Sequence, residues 1–201
     1  MQHYFIEKQH KASDYFTFTD KFNNTEFTFK SVDNVFSKNQ IDEGTKVLLN
    51  TVLKNYHIKG DVLDFGCGLG TISIVLKKQF PNINVEACDI NGVAVELTRH
   101  NAKLNNIVIN KVYKCNLYED IDKKYDYIVT NPPIKVGKKI LFEVVTQAYE
   151  HLNNNGEIVL VIRKSHGQES LKNHMMSVFN NASILKRDKG YYIMKSVKES
   201  V

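Results

Sequence analysis

Two runs of this sequence combine residue types that can do chemistry together. The first is Asp64-Phe65-Gly66-Cys67-Gly68-Leu69-Gly70. Glycines at alternate positions let a backbone turn sharply and let a ligand approach without interference from a Cβ. Such a loop suits either a dinucleotide or an adenosyl ligand, and two features separate them. The spacing is G-x-G-x-G, with Thr71 standing where a dinucleotide fingerprint calls for its third glycine. Asp64, two residues before the first glycine, would also meet a pyrophosphate with a like charge. S-adenosylmethionine carries no phosphate, and its ammonium and sulfonium are attracted to an acid there. Asp89, 23 residues after Gly66, is spaced to take both hydroxyls of a ribose. Asn116 is a candidate contact to the adenine amine, with an ordinary turn residue as the alternative.

The second run is Asn131-Pro132-Pro133-Ile134, which holds two of the chain's three prolines. An exocyclic base amine is a weak nucleophile because its lone pair is delocalised into the ring. Two acceptors, the Asn131 side-chain oxygen and the Pro132 carbonyl, can hold its protons and turn the lone pair toward an electrophile. Proline fixes φ near about −65° and so holds that carbonyl in place. A sulfonium already activates its methyl group, so no strong general base is needed and catalysis reduces to orientation and electrostatics. Asn131, Pro132 and Pro133 are therefore the catalytic candidates, and Ile134 is the candidate apolar surface against the base. A lone Asn-Pro-Pro more often just ends a strand. Its expected place at the carboxyl edge of a sheet favours the functional reading, because open α/β sheets bind ligands there.

Both runs need a scaffold that brings them to one edge. From residue 61 the pattern is a strand–helix alternation, with apolar runs at 62–65, 84–88, 112–115, 125–130 and 157–162 reading as strands. The stretches between carry helical stripes, such as Ile72, Val75, Leu76 and Phe80, or Val93, Leu97, His100 and Leu104. A stripe of Leu141, Val144, Val145, Ala148 and Leu152 predicts a helix ended by Asn155-Gly156. Asp42 can N-cap a helix bearing Leu49, Val52, Leu53 and Tyr56. Strands at 182–185 and 191–194, separated by Lys186 to Gly190, should pair antiparallel. Near the start, alternating aromatics at 15–18 and 26–29 flank Asn23-Asn24 and read as a hairpin. The expected architecture is α/β: a mostly parallel seven-stranded sheet with helices on both faces, closed by a C-terminal antiparallel hairpin and preceded by an N-terminal β-hairpin extension. Residues 1–45 are expected to form a lead-in packed on a domain of residues 46–201.

Composition bounds the reading. The chain has 201 residues, 42% hydrophobic and 24% charged, which suits one globular core. No apolar run approaches the roughly 20 residues of a membrane span, and no secretory h-region follows Met1, so a cytoplasmic protein is expected. Cys67, Cys88 and Cys115 form no C-x-x-C pair and read as apolar filler in a reducing compartment. No Cys/His spacing suggests a metal site. Residues 1–130 carry 16 basic and 16 acidic residues, whereas residues 131–201 carry 11 and 6. The excess of positive charge therefore lies in the last third, where Lys135, Lys138, Lys139, Arg163 and Lys164 follow strand ends. Such a rim suits a phosphate backbone.

The set Phe36-Ser37, Asp42-x-Gly44-Thr45, Asp64-x-Gly66-x-Gly68-x-Gly70, Asp89, Asn131-Pro132-Pro133-Ile134 and Lys189-Gly190-Tyr191-Tyr192 resembles the small-domain (MTS) methyltransferases of class I, Rossmann-like fold. Within them it resembles the short, single-domain bacterial enzymes that act on guanine N2 of 16S ribosomal RNA. The resemblance implies S-adenosylmethionine as cofactor and ribosomal RNA or the small ribosomal subunit as partner, with the chain a monomer or homodimer. It implies that Asp64, Gly66, Gly68 and Asp89 hold the cofactor, with Cys67, Gly70, Ile90, Asn116 and Leu117 beside them. Phe36 and Lys138 join Ile134 as candidate substrate contacts. Adenine-N6, cytosine-N4 and glutamine-amide enzymes share the Asn-Pro-Pro core, so another amine is the alternative acceptor. A non-catalytic RNA-binding relative is the alternative of another class, and Gly66, Gly68, Asp89 and Asn131 together argue against it.

Overall fold

The computed structural model describes residues 11–32, 40–119, 121–132 and 137–200. The candidates Phe36, Pro133 and Ile134, together with Lys135, lie outside the described residues. The chain opens with an antiparallel hairpin of β1 (Tyr15–Phe22) and β2 (Thr25–Val32). Asn23 and Asn24 both have positive φ, at 45° and 62°, the geometry that a two-residue hairpin turn of matching twist demands. Then follow α1 (Glu43–Asn55), β3 (Asp61–Phe65), α2 (Thr71–Gln79), β4 (Asn84–Asp89), α3 (Gly92–Leu104) and β5 (Lys111–Lys114). The second half is β6 (Tyr125–Thr130), α4 (Gly137–Glu150), β7 (Leu152–Arg163), α5 (Gln168–Phe179), β8 (Ser183–Asp188) and β9 (Tyr191–Val197).

The main sheet has seven strands in the order β5-β4-β3-β6-β7-β9-β8. Pairing is parallel from β5 to β7 and antiparallel at β7–β9 and β9–β8. Both faces are apolar, as a sheet covered on two sides must be. On β7, Val159 and Val161 enter a core built with α1, α2 and the hairpin aromatics Phe22, Phe27 and Phe29. Ile158, Leu160 and Ile162 enter the opposite core, against α4 and α5. From β3 the chain builds outward to β4 and β5, then returns to lay β6 on the other side of β3. The carboxyl ends of β3 and β6 therefore flank the point where strand order reverses, the place where such sheets hold ligands.

Two sequence expectations need correction. The helix after the Asn-Pro-Pro run ends at Glu150, not at Asn155-Gly156, and Leu152 already belongs to β7. Leu152 pairs with Tyr125, and the register then shifts before Tyr127 pairs with Glu157. Asn155, with φ 62°, and Gly156 make the intervening kink; a Cβ on Gly156 would lie 2.9 Å from the Asn153 carbonyl. The closing hairpin is also tighter than expected. Lys186, Arg187 and Asp188 are strand residues, and only Lys189-Gly190 makes the turn.

Candidate active site

The glycine loop joins β3 to α2, and its conformation follows from its composition. Gly66, Gly68 and Gly70 all have positive φ, at 73°, 56° and 77°. A Cβ on Gly66 would point into open space, whereas one on Gly70 would meet Thr98 Cγ2 at 2.8 Å. The first glycine thus leaves a face open for a ligand, and the third lets α3 pack close. Gly66 and Cys67 both donate their N–H to the Cys88 carbonyl at 2.9 Å, which ties the loop to the end of β4. From α3, Thr98 donates to the Gly68 carbonyl at 3.1 Å and Asn101 donates to the Leu69 carbonyl at 2.9 Å.

Two carboxylates lie in this frame. Asp64 is fully buried, and its Oδ2 accepts the Ser73 N–H at 2.9 Å. Its Oδ1 has no partner among the described residues. Burial pushes its pKa up to about 7, only partly offset by the Ser73 hydrogen bonds and reinforced by the charge of Asp89. Asp89, at the end of β4, accepts the Gly68 N–H on Oδ2 at 3.0 Å and the Asn91 N–H on Oδ1 at 2.9 Å. Burial raises its pKa as well, against those backbone bonds and a third from Ile90. Its two oxygens offer about four acceptor sites, so capacity remains beyond these three backbone bonds to face a ribose. The Cys115 N–H donates to the Asp89 carbonyl at 3.0 Å, so Asn116 and Leu117, the latter at φ 52°, start beside Asp89. The Asn116 amide turns to Glu119, to which it donates at 3.0 Å. An unpartnered buried carboxylate oxygen, an open glycine face and a two-pronged acid fit a ligand with an ammonium and a ribose.

The acceptor run begins beside this loop. Phe65 pairs with Thr130, and Thr130 Oγ1 donates to the Phe65 carbonyl at 2.7 Å, so Gly66 and Asn131 leave the sheet as neighbours. Pro132 is buried and Asn131 half-buried. Both Asn131 amide hydrogens are committed: Nδ2 donates to Asp42 Oδ2 at 2.9 Å and to Thr45 Oγ1 at 2.8 Å. Asp42 is the N-cap of α1, and the same Oδ2 accepts the Thr45 N–H at 3.1 Å. Sequence reasoning gave Asp42 its capping role and Thr45 none in the chemistry; it also passed over Thr98 and Asn101. The one available signal for that pair was two buried polar residues on the apolar face of α3.

A basic rim borders the acceptor side. The exposed Arg163, last residue of β7, sets its guanidinium 5.3 Å from the ring centre of Tyr191, and the Lys164 N–H donates to the Gly190 carbonyl at 2.9 Å. The exposed Lys138, in the first turn of α4, runs alongside Gly167; a Cβ there would lie 3.1 Å from Lys138 Cε. Lys189 is paired with Glu43. Cys67, Cys88 and Cys115 are buried thiols, as expected of filler. Among the described residues no cluster of His, Cys, Asp or Glu suits a metal ion, and no helix is long and apolar enough to cross a membrane.

The family described as Methyltransferase small domain matches residues 26–195. The chain belongs to that family. It is an S-adenosylmethionine-dependent methyltransferase, with S-adenosylmethionine as its cofactor. Over 199 residues it is 35% identical to the uncharacterized protein YbxB of Bacillus subtilis, covering 98% of each chain. It is 39% identical over 138 residues to ribosomal RNA small subunit methyltransferase C of Haemophilus influenzae, covering 67% of this chain and 41% of that protein. The chain thus spans less than half the length of the latter relative. Among solved structures it resembles the T. thermophilus 16S rRNA N2 methyltransferase RsmC in complex with AdoMet and guanosine. There the TM-score is 0.83 at 22% identity, over 92% of this chain and 51% of that one. That likeness establishes the small-domain methyltransferase fold: a mixed seven-stranded sheet with antiparallel C-terminal strands and an N-terminal β-hairpin.

Proposed function

We propose that this methyltransferase acts on N2 of a guanine in small-subunit ribosomal RNA. The observation that carries the reading is the committed amide of Asn131. With both Nδ2 hydrogens engaged by Asp42 and Thr45, Oδ1 is the group left to accept a hydrogen bond from an incoming amine. It stands next to the glycine loop at the switch point of the sheet. The small-subunit RNA target is drawn from the two relatives whose names concern it, the guanine from the T. thermophilus structure alone, and the basic rim at Arg163, Lys164 and Lys138 suits a phosphate backbone.

In this reading Asp64 faces the ammonium, Asp89 takes the ribose hydroxyls, and Gly66 and Gly68 give the ligand its approach. Cys67, Gly70, Ile90 and Leu117 shape the surrounding wall; Asn116, turned to Glu119, contributes at the adenine edge. S-adenosylmethionine held there would supply an electrophilic methyl on a sulfonium that departs as a neutral thioether, and the acceptor amine would release its surplus proton to water. Asn131 and Pro132 orient the amine; Phe36, Pro133 and Ile134, outside the described residues, remain the candidates to complete the base pocket.

The test is methyl transfer from labelled S-adenosylmethionine to unmodified small-subunit RNA and to small-subunit particles, followed by digestion to nucleosides. Label in N2-methylguanosine is the expected outcome. Label in N6-methyladenosine, or in a glutamine amide of added protein, would replace guanine with that acceptor. S-adenosylmethionine binding without transfer to any of these would favour a non-catalytic RNA-binding role.

A further inference from the structure

We propose that Asp42 and Thr45 are positioning residues of the methyl transfer, locking the Asn131 amide in the orientation that presents its oxygen to the acceptor. The inference rests on the amine-methylation reading above. A primary amide has two faces of opposite character, two donors on nitrogen and lone pairs on oxygen, and a flip about its last bond exchanges them. Only one orientation serves an amine acceptor. In the observed one, Nδ2 gives one hydrogen to Asp42 Oδ2 at 2.9 Å and the other to Thr45 Oγ1 at 2.8 Å. The flipped amide would set its oxygen against a carboxylate oxygen at that same separation, acceptor against acceptor with no proton between them. The carboxylate therefore selects the orientation, and the hydroxyl fixes the angle.

The clamp is itself held in place. Asp42 Oδ2 also accepts the Thr45 N–H at 3.1 Å, so the clamp is the first turn of α1. Gly44 between them has no room for a side chain. A Cβ there would lie 2.9 Å from Asp42 Oδ2 and 2.9 Å from Tyr191 Cε1, so the closing hairpin braces the turn from behind. Hydrogen-bond donation to a carboxylate polarises the amide and shifts negative charge onto Oδ1. The grip on the amine protons then strengthens as the nitrogen gains positive charge, a preorganised interaction worth most in the transition state. The clamp should accordingly act on kcat and leave cofactor affinity alone.

Asp42→Asn separates this role from helix capping, because Asn caps about as well as Asp yet no longer forbids the flip. Its melting temperature and S-adenosylmethionine affinity should match wild type, while kcat on guanine-bearing RNA falls at least about tenfold, with KM little changed. Thr45→Val should show the same split, and Thr45→Ser should restore kcat. A second readout is independent of activity: the side-chain amide signals of Asn131 in nitrogen-15 spectra, identified by their loss in Asn131→Ala. They should exchange slowly with solvent in wild type and rapidly in Asp42→Asn. A kcat within twofold of wild type in Asp42→Asn, or equally protected amide signals, would overturn the clamp. If wild type methylates no acceptor, the acceptor reading fails on its own, and the amide exchange alone decides the clamp.

Discussion

In the proposed site, Asp64 should couple stability to cofactor binding through a single buried carboxyl. Its folded pKa of about 7 stands above the value of roughly 4 for an unfolded aspartate. Across that interval the native state binds the proton more tightly than the unfolded chain, so the contribution of the Asp64 proton to stability declines as pH rises from about 4 and is gone above about 7. The melting temperature of the cofactor-free protein should therefore drop between pH 5 and pH 8. Asp64→Asn should shrink the drop, leaving the smaller part due to Asp89, whose pKa is raised in the same direction. Equal drops in both proteins would remove Asp64 as the cause. S-adenosylmethionine affinity should run the other way, tightening as Asp64 ionises, with that pH dependence absent in Asp64→Asn. The glycines divide similarly. Gly66→Ala strains a positive φ by ~1–2 kcal/mol and sets a methyl on the open face, so calorimetry should show at least a tenfold loss of cofactor affinity. Gly70→Ala adds a clash with Thr98 to the same strain, and urea denaturation should show the larger stability loss, about 2–4 kcal/mol.

At the scale of elements, the hairpin is fastened to α3 by side-chain amides that imitate a neighbouring strand. Asn101 accepts the Lys30 N–H at 2.7 Å and donates to the Lys30 carbonyl at 3.0 Å; Asn105 does the same with Thr28 at 2.9 and 2.7 Å. Because Asn101 also holds the Leu69 carbonyl, one buried residue joins hairpin, helix and glycine loop. Asn101→Ala leaves three backbone groups without it and should lower stability by about 2–3 kcal/mol in urea, with weaker cofactor binding as the loop loosens. Asn105→Ala should lower stability less and leave cofactor binding unchanged. These ties also mark what the sequence makes legible. Period-2 and period-3.6 patterns are local, and they placed every strand of the main sheet and the two-asparagine turn. Leu152 defeated them because it fits both a helical stripe one turn past Ala148 and an apolar slot opposite Tyr125. Glycine spacing marked the candidate cofactor loop, and the proline pair the candidate acceptor run. The contacts from Asp42 and Thr45 to Asn131 join positions 89 and 86 residues apart, and no local pattern records which distant polar groups meet.

Over the whole molecule, the reversal of strand order puts glycine loop, Asn131 and basic rim at one edge of the sheet, and under the proposed function that arrangement predicts how RNA should bind. Arg163 ends β7 and Lys164 follows it at the same edge as Asn131, and Arg163 is backed by Tyr191 instead of an acid. Lys189 lies close by, but its charge is already engaged by Glu43 and should add little. Phosphate contacts release counterions, so each one lost should lower the slope of log affinity against log salt by about 1 and weaken binding with little regard to sequence. Arg163→Ala and Lys164→Ala should each do so in a titration of small-subunit RNA, with S-adenosylmethionine affinity unchanged. Lys54 and Lys124 are exposed at the opposite edge, at the end of α1 and just before β6, and supply the control. Removing either takes away the same unit charge from the molecule, so a rim acting through net charge would lose equally from all four variants. A rim acting through placed contacts would lose only from the first two. Equal losses would mean that the charge excess of the last third steers RNA without gripping it, and the docking edge would then have to be sought elsewhere on the surface.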